Sequence, residues 1–358
     1  MKESSKYRKV WNRFVVMSSS LSFLVLYSTQ TILIKYLNEK LGIVFPWMTV
    51  LLLTGGWPIN MIIWVVRYIK RKSVHALSWS YIGAYACLGL MDAVRMSLMS
   101  FGLNYLSGGT YMVLKGTNAI FTVIMTKIFL KHRRIINLHW LSVAFFTLSM
   151  SILAVGGSKE NESENDEQSS SEYLVGFICT ITSSIANSAQ SVIAEKYFRK
   201  LKKGRSFTRA AEVAAFNGLF SFLFSCILPF AVGEHHLWIN TYSDDSFDGK
   251  RTTFIVFCVL IACSKQFGYL FKFSLTDFIS AFYVSVLDMC RRVIVVILCV
   301  ILFNEPFGWS KILSLCLMLV GFGVYLFASR KVKQLQKMEE EIDQEKKLLI
   351  PKQNNAIN

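Results

Sequence analysis

The chain has 358 residues, of which 53% are hydrophobic and 14% aromatic, with only 5 prolines and a formal net charge of +16. With a mean hydropathy of +0.42, this composition excludes a two-domain soluble protein and describes a polytopic membrane chain with no soluble domain of useful size. The positive charge does not point to nucleic acid, because the basic residues collect in short segments between apolar runs, where they orient a membrane protein.

The N-terminal MKESSKYRKVWNR is basic. The apolar stretch after it is too long for a signal-peptide core and lacks a small-residue cleavage site, so it reads as a first spanning helix. Apolar runs of roughly 20 or more residues predict ten transmembrane helices, at about 13–36, 43–69, 77–105, 108–130, 137–156, 173–198, 210–232, 252–274, 278–303 and 308–328. An even number leaves both termini on one side. The short connections on that side hold nineteen Lys or Arg against about six on the other, which puts the termini in the cytosol.

Along the chain, polar residues recur where a central cavity needs them. The first span carries Ser18, Ser19, Ser20, Ser22, Ser28, Thr29 and Gln30, and the third carries Asp92 and Arg95, candidates for coupling or gating. The fourth sets Lys115, Asn118, Thr122 and Thr126 on one helical stripe, and the sixth sets Thr180, Ser183, Asn187 and Ser191 on another. Hydroxyls in membrane helices commonly serve helix packing, so a single Ser or Thr there carries little weight. Lys115 and Lys265 lie too deep in their spans to reach a headgroup.

Between the fifth and sixth spans, SKENESENDEQSSSE is acidic and too polar to pack, which suits the lumen or exterior, and it contains the sequon Asn161-Glu162-Ser163, a glycosylation acceptor on that side. His235-His236 has no spaced third ligand and reads as loop histidines. All 8 cysteines lie inside apolar runs with no CxxC spacing. Neither a metal site nor a disulfide framework follows, and no cofactor is expected.

The ninth span, Phe278–Phe303, is the most informative. It is long enough to cross a bilayer, yet it holds Asp288, Arg291 and Arg292 near its middle. Asp288 and Arg291, three apart, share a helix face. Arg292 points about 100° away from Arg291 on the helix, so one arginine is free for packing or a headgroup. The charges either line a polar site or only fasten helices together. Over all spans, Asp92 and Asp288 face Arg95, Lys115, Lys265, Arg291 and Arg292. Three cations are left over, and a cavity they shared would attract anions.

TYMVLKGTNAIFTVIMTKIFL (110–130) and FYVSVLDMCRRVIVVILCVILF (282–303) form a faint internal repeat. Five spans per half is odd, so the second half enters inverted, with the site near the midplane. The expected fold class is therefore all-α, polytopic, with ten helices in a five-plus-five inverted repeat. It divides into a cytosolic N-terminus (1–12), a first repeat (13–156), an acidic lumenal loop (157–172), a second repeat (173–328) and a cytosolic tail (329–358).

The segments 91–133 and 282–309 resemble the two signature hairpins of the drug/metabolite transporter superfamily, and more narrowly its solute-carrier-35-like branch of nucleotide-sugar transporters and orphan endolysosomal carriers. Lys115 matches the basic residue of that pattern, Asp288 and Arg291 its Asp-x-x-Arg, and Asp92 the acid of the third span. The resemblance implies alternating access.

The expected function is a secondary transporter, not an enzyme, moving a small anionic metabolite such as a nucleotide sugar across an intracellular membrane of the endosome, lysosome or Golgi. The alternatives are an endolysosomal carrier of small organic solutes, coupled to protons through Asp92 or Asp288, and a receptor or scaffold, with Asp288 joining Asp92 and Arg95 as a coupling or gating candidate. Lys115, Asn118, Thr122, Asn187, Lys265, Asp288 and Arg291 are the expected substrate contacts. The tail places Glu345 four and five residues before Leu349 and Ile350, like an acidic dileucine signal for adaptor proteins. Leu335, Ile342 and Leu349 also recur every seven residues, as in an amphipathic or coiled helix. Expected partners are the substrate, the lipid bilayer and those adaptors. A homodimer is left open.

Overall fold

The computed structural model describes residues 2–41, 46–71, 79–105, 111, 114–130, 136–161, 170–200, 207–243, 251–303 and 309–354. Their helices are α1 (Lys2–Leu41), α2 (Pro46–Gly55), α3 (Trp57–Arg71), α4 (Trp79–Tyr105), α5 (Asn118–Phe129), α6 (Asn137–Asn161), α7 (Ser170–Lys200), α8 (Phe207–Val232), α9 (Glu234–Ser243), α10 (Arg251–Phe278), α11 (Ala281–Phe303) and α12 (Trp309–Asn354). Among the described residues there is no strand. Hydrocarbon offers the backbone no partner, so a chain this apolar satisfies its peptide groups within helices.

Side-chain placement is that of a membrane protein. Leu21 and Ile227 are each 65% exposed, and Met17 and Val25 on α1 and Leu223 and Phe230 on α8 are also exposed, while Ser19, Ser28, Asp92, Gln190 and Gln266 are buried. Six segments are long and apolar enough to cross a bilayer among the described residues: Phe14–Leu37, Trp47–Lys70, Tyr81–Gly102, Phe207–Ala231, Arg251–Phe278 and Ile312–Val332. The protein is therefore an all-helical, multi-pass membrane chain. Helices α5, α6, α7 and α11 carry the remaining expected spans.

The helices pack as a set of pairs: α1 with α10, α4 with α7, α3 with α8, α6 with α12, α5 with α7, α1 with α11, and α5 with α11. Small residues allow the closest approaches. At Gly56, between α2 and α3, a Cβ would stand 2.8 Å from the Ala262 carbonyl oxygen of α10. At Gly268 it would stand 2.6 Å from the Tyr27 ring. Carboxylates close two helix starts, where N–H groups lack partners. Met48 N–H donates to Glu234 at 2.7 Å, and Ala281 N–H donates to Glu195 at 2.7 Å.

Three local expectations change. His235 and His236 sit on the short helix α9, not in a loop, with ring centroids 3.9 Å apart. The backbone does not break at 328, where the tail is expected to begin, because the 46-residue helix α12 runs from Trp309 to Asn354, through Glu345, Leu349 and Ile350. Asn161 is the last residue of α6, and Glu162 and Ser163 of its sequon lie outside the described residues.

Candidate functional site

A cavity of about 400 Å³ lies among α1, α2, α4, α7, α10, α11 and the segment leading into α5. Helical spacing aims the contributing side chains at it. On α1 the positions are Phe23, Tyr27, Gln30, Thr31 and Ile34, and on α11 they are Val284, Ser285, Asp288, Arg291, Arg292 and Val295. Both series step by three or four residues, apart from adjacent pairs, and so follow one face of a helix.

Asp288 holds the α11 charges together. Arg291 Nε donates to its Oδ1 at 2.9 Å and Arg292 Nη2 donates to its Oδ2 at 2.8 Å. The 100° separation of the two arginines does not send one of them elsewhere, because positions three and four after Asp288 both lie within reach. Arg291 also reaches across to α1, donating to Thr31 Oγ1 at 2.9 Å.

A second cluster stands beside the cavity. Asp92 accepts from Arg95 Nη2 at 2.6 Å and from Ser221 Oγ at 2.9 Å, and it accepts a further bond from Tyr269 Oη. Lys265 Nζ stands 3.7 Å from Asp92 Oδ2, an ion-pair distance too long for a hydrogen bond. Arg95 and Lys265 line the cavity, while Asp92 stands behind them.

Lys115 enters from the turn before α5. Residues 114–116 are helical and Thr117 turns. Thr117 N–H bonds the Leu114 carbonyl at 3.2 Å, an i to i+3 contact. This short interruption presents Lys115 to the cavity, with Nζ donating to Ser183 Oγ at 2.5 Å. Asn118 follows on the same wall, its Oδ1 accepting from Ser188 Oγ at 2.7 Å.

Of the expected substrate contacts, Lys115, Asn118, Asn187, Lys265, Asp288 and Arg291 line this one cavity, and Arg95 joins them. Thr122 does not. Its hydroxyl lies 2.8 Å from the Asn118 carbonyl oxygen and 2.9 Å from Ser285 Oγ, where it ties α5 to α11. Asn161, Glu345, Leu349 and Ile350 lie on the helices given above, apart from the lining residues.

Tyr27, Tyr111 and Lys272 also line the cavity and were not among the sequence candidates, while Gln30 was one of several first-span polar residues that the sequence did not single out. Lys272 had a readable signal, since it stands seven residues, two helical turns, after Lys265. A span that ends near 274 leaves Lys272 close to the interface, whereas α10 runs on to Phe278. Its Nζ donates to Gln190 Oε1 at 2.9 Å and to Asn187 Oδ1 at 3.4 Å. Among the described residues, no group of three His, Cys, Asp or Glu could hold a metal ion.

The protein family described as purine nucleobase transmembrane transport matches residues 14–335. Relatives in Arabidopsis thaliana include probable purine permease 5, 27% identical over 287 residues, covering 79% of this chain and 77% of the relative. Probable purine permease 11 is 23% identical over 335 residues, covering 91% and 86%. Probable purine permease 13 is 23% identical over 293 residues, covering 82% and 79%. A solved structure described as "Crystal structure of protein" superposes with a TM-score of 0.62 over 88% of this chain and 98% of that chain, at 13% identity, a likeness of fold alone. The chain belongs to the purine nucleobase transmembrane transport family, and it is a multi-pass membrane transporter rather than an enzyme.

Proposed function

We propose that this chain moves a purine across its membrane by alternating access, binding it in the cavity lined by α1, α4, α7, α10 and α11. One observation carries the reading: every residue lining that cavity falls within the 14–335 stretch that matches the purine transport family. The chemistry of the wall agrees. Purines present ring nitrogens and exocyclic groups in one plane, read by carboxamides at the edge and aromatic rings on the face. The cavity offers Gln30, Asn118 and Asn187 for the edge, with Tyr27 and Tyr111 for the face. Gln30 is buried and its Oε1 has no partner among the described residues. Arg95, Lys115, Lys265, Asp288 and Arg291 complete the proposed contacts, with Asp92 positioning Arg95 and Lys265.

Ten spanning helices in two inverted halves suit the packing. If α1, α2 with α3, α4, α5 and α6 correspond to α7, α8, α10, α11 and α12, a two-fold exchange maps α1 with α10 onto α7 with α4. It maps α5 with α7 onto α11 with α1. The pairs α6 with α12, α3 with α8 and α5 with α11 map onto themselves. Each is a packed pair, as an inverted repeat requires.

The cavity floor is the apolar cluster Phe23, Leu275, Val284 and Leu287. The lining continues away from it to Ile34, Thr49 and Val295. With cytosolic termini, this is a carrier sealed on the cytosolic side. The basic asymmetry of the connections supports that orientation, and the dileucine-like tail supports an endosomal or lysosomal membrane. Exposed Ile342 on the helical tail also fits the seven-residue recurrence.

The test is thermal stabilisation of the purified protein in detergent by adenine, hypoxanthine, uridine, a nucleotide sugar and an amino acid. Selective stabilisation by the purine bases is expected. Stabilisation by the nucleotide sugar alone, or equal response to all, contradicts the reading.

A further inference from the structure

The cavity holds more positive charge than a neutral base can use. Six cations line it: Arg95, Lys115, Lys265, Lys272, Arg291 and Arg292. Among the described residues they are answered by Asp288 in the wall and Asp92 behind it. Asp288 is shared by two arginines, and Asp92 already accepts from Arg95, Ser221 and Tyr269.

Two of the lysines, Lys115 and Lys272, donate only to neutral groups among the described residues, and Lys265 has Asp92 at 3.7 Å, a carboxylate it shares with Arg95. Lys115 donates to a serine and Lys272 to two carboxamides. Among the described residues, Lys265 Nζ, in a side chain 1% exposed, makes no hydrogen bond, and neither do Nε and Nη1 of buried Arg292. Tyr269 gives Lys265 and Lys272 partial relief, with its ring centroid 5.0 Å and 5.7 Å from their Nζ atoms. A cation–π contact of this kind offsets only part of the cost of burying an ammonium group. A built, donor-rich pocket with unpartnered nitrogens is therefore waiting for negative charge.

We propose that the preferred substrate is an anionic oxopurine, a purine that has lost a ring proton and carries carbonyl oxygens, rather than a neutral aminopurine. The inference rests on the purine reading and names the charge state of the ligand. Carbonyl oxygens and a delocalised ring anion accept from Lys115, Lys265 and Arg292. An exocyclic amino group would instead meet mostly donors, with Gln30 Oε1 an unpartnered acceptor in the wall among the described residues.

The test is uptake of radiolabelled adenine into proteoliposomes at neutral pH, with unlabelled hypoxanthine and adenine as neutral competitors and urate as a purine monoanion. Orotate, a pyrimidine carboxylate, serves as a non-purine anion. Urate is expected to compete at least tenfold more strongly than the neutral purines, and orotate weakly. Lys115→Met and Lys265→Met should each reduce the urate-to-adenine preference about tenfold. In case a variant is misfolded, direct binding of labelled urate and labelled adenine to the wild-type protein reads the same preference. Adenine uptake with urate no better a competitor overturns this inference and leaves the purine reading standing, which is the result if the lysines rest neutral. Competition by orotate equal to that of urate also overturns it. Binding of none of the three purines overturns both.

Discussion

At the scale of single residues, Asp288 is the group on which the cavity wall depends most. Arg291 and Arg292 share its carboxylate, and among the described residues two guanidinium nitrogens of Arg292 have no hydrogen-bond partner. Asp288→Asn should therefore lower stability by about 2 kcal/mol, between the soluble-protein cost of breaking a buried pair and the smaller membrane values. Adding Arg292→Met should recover part of that loss, because it removes one stranded cation. Arg291→Lys keeps the charge but loses the planar fork that spans Asp288 and Thr31, so uptake should fall more than melting temperature. Tryptophan fluorescence melting beside uptake separates these effects, and full stability of Asp288→Asn would contradict the shared-pair account. Helical spacing made the Asp288–Arg291 contact legible in the sequence. The approach of Lys265 to Asp92 was not legible, because the two lie on different helices and no local periodicity links them.

Elements show the same division between what one helix encodes and what two helices decide. Hydropathy runs located the helices, since a span must be apolar over a fixed length. They did not reveal the interruption at Gly56, the turn at Thr117 beside Lys115, or the short helix α9. Each depends on a neighbour. Gly56 faces Ala262 and Gln266 of α10. Gln266 in turn accepts from Asn60 Nδ2 at 3.0 Å and donates to the Leu53 carbonyl at 3.3 Å, joining α2, α3 and α10. Gly56→Ala places a methyl against a backbone carbonyl and should cost about 1–3 kcal/mol. Gly83→Ala, with nothing within 4 Å of its added Cβ, should be neutral or stabilising by up to about 1 kcal/mol. Equal melting temperatures for the two variants would show that α2, α3 and α10 are not held by this contact.

For the molecule as a whole, the charged residues bring the argument together. A chain with +16 net charge places most basic residues outside its spans, yet keeps six cations in one cavity between its two halves. Such a site is costly unless a ligand uses it, and the inverted repeat proposed above would supply a means of exposing it to either side in turn. The sequence alone carried the polar stripes and the excess of cations. The purine ring was not legible, because stacking faces such as Tyr27 and Tyr111 look like any membrane tyrosine until they meet in one cavity. The most direct test is counterflow. Proteoliposomes loaded with unlabelled urate or hypoxanthine are diluted into labelled adenine, and transient accumulation of label is read against empty vesicles. A carrier that alternates around one purine site should accumulate label above equilibrium and then release it, and Arg291→Ala should abolish the overshoot. Uptake that rises to equilibrium with no overshoot, whatever is inside, would contradict alternating access at this cavity.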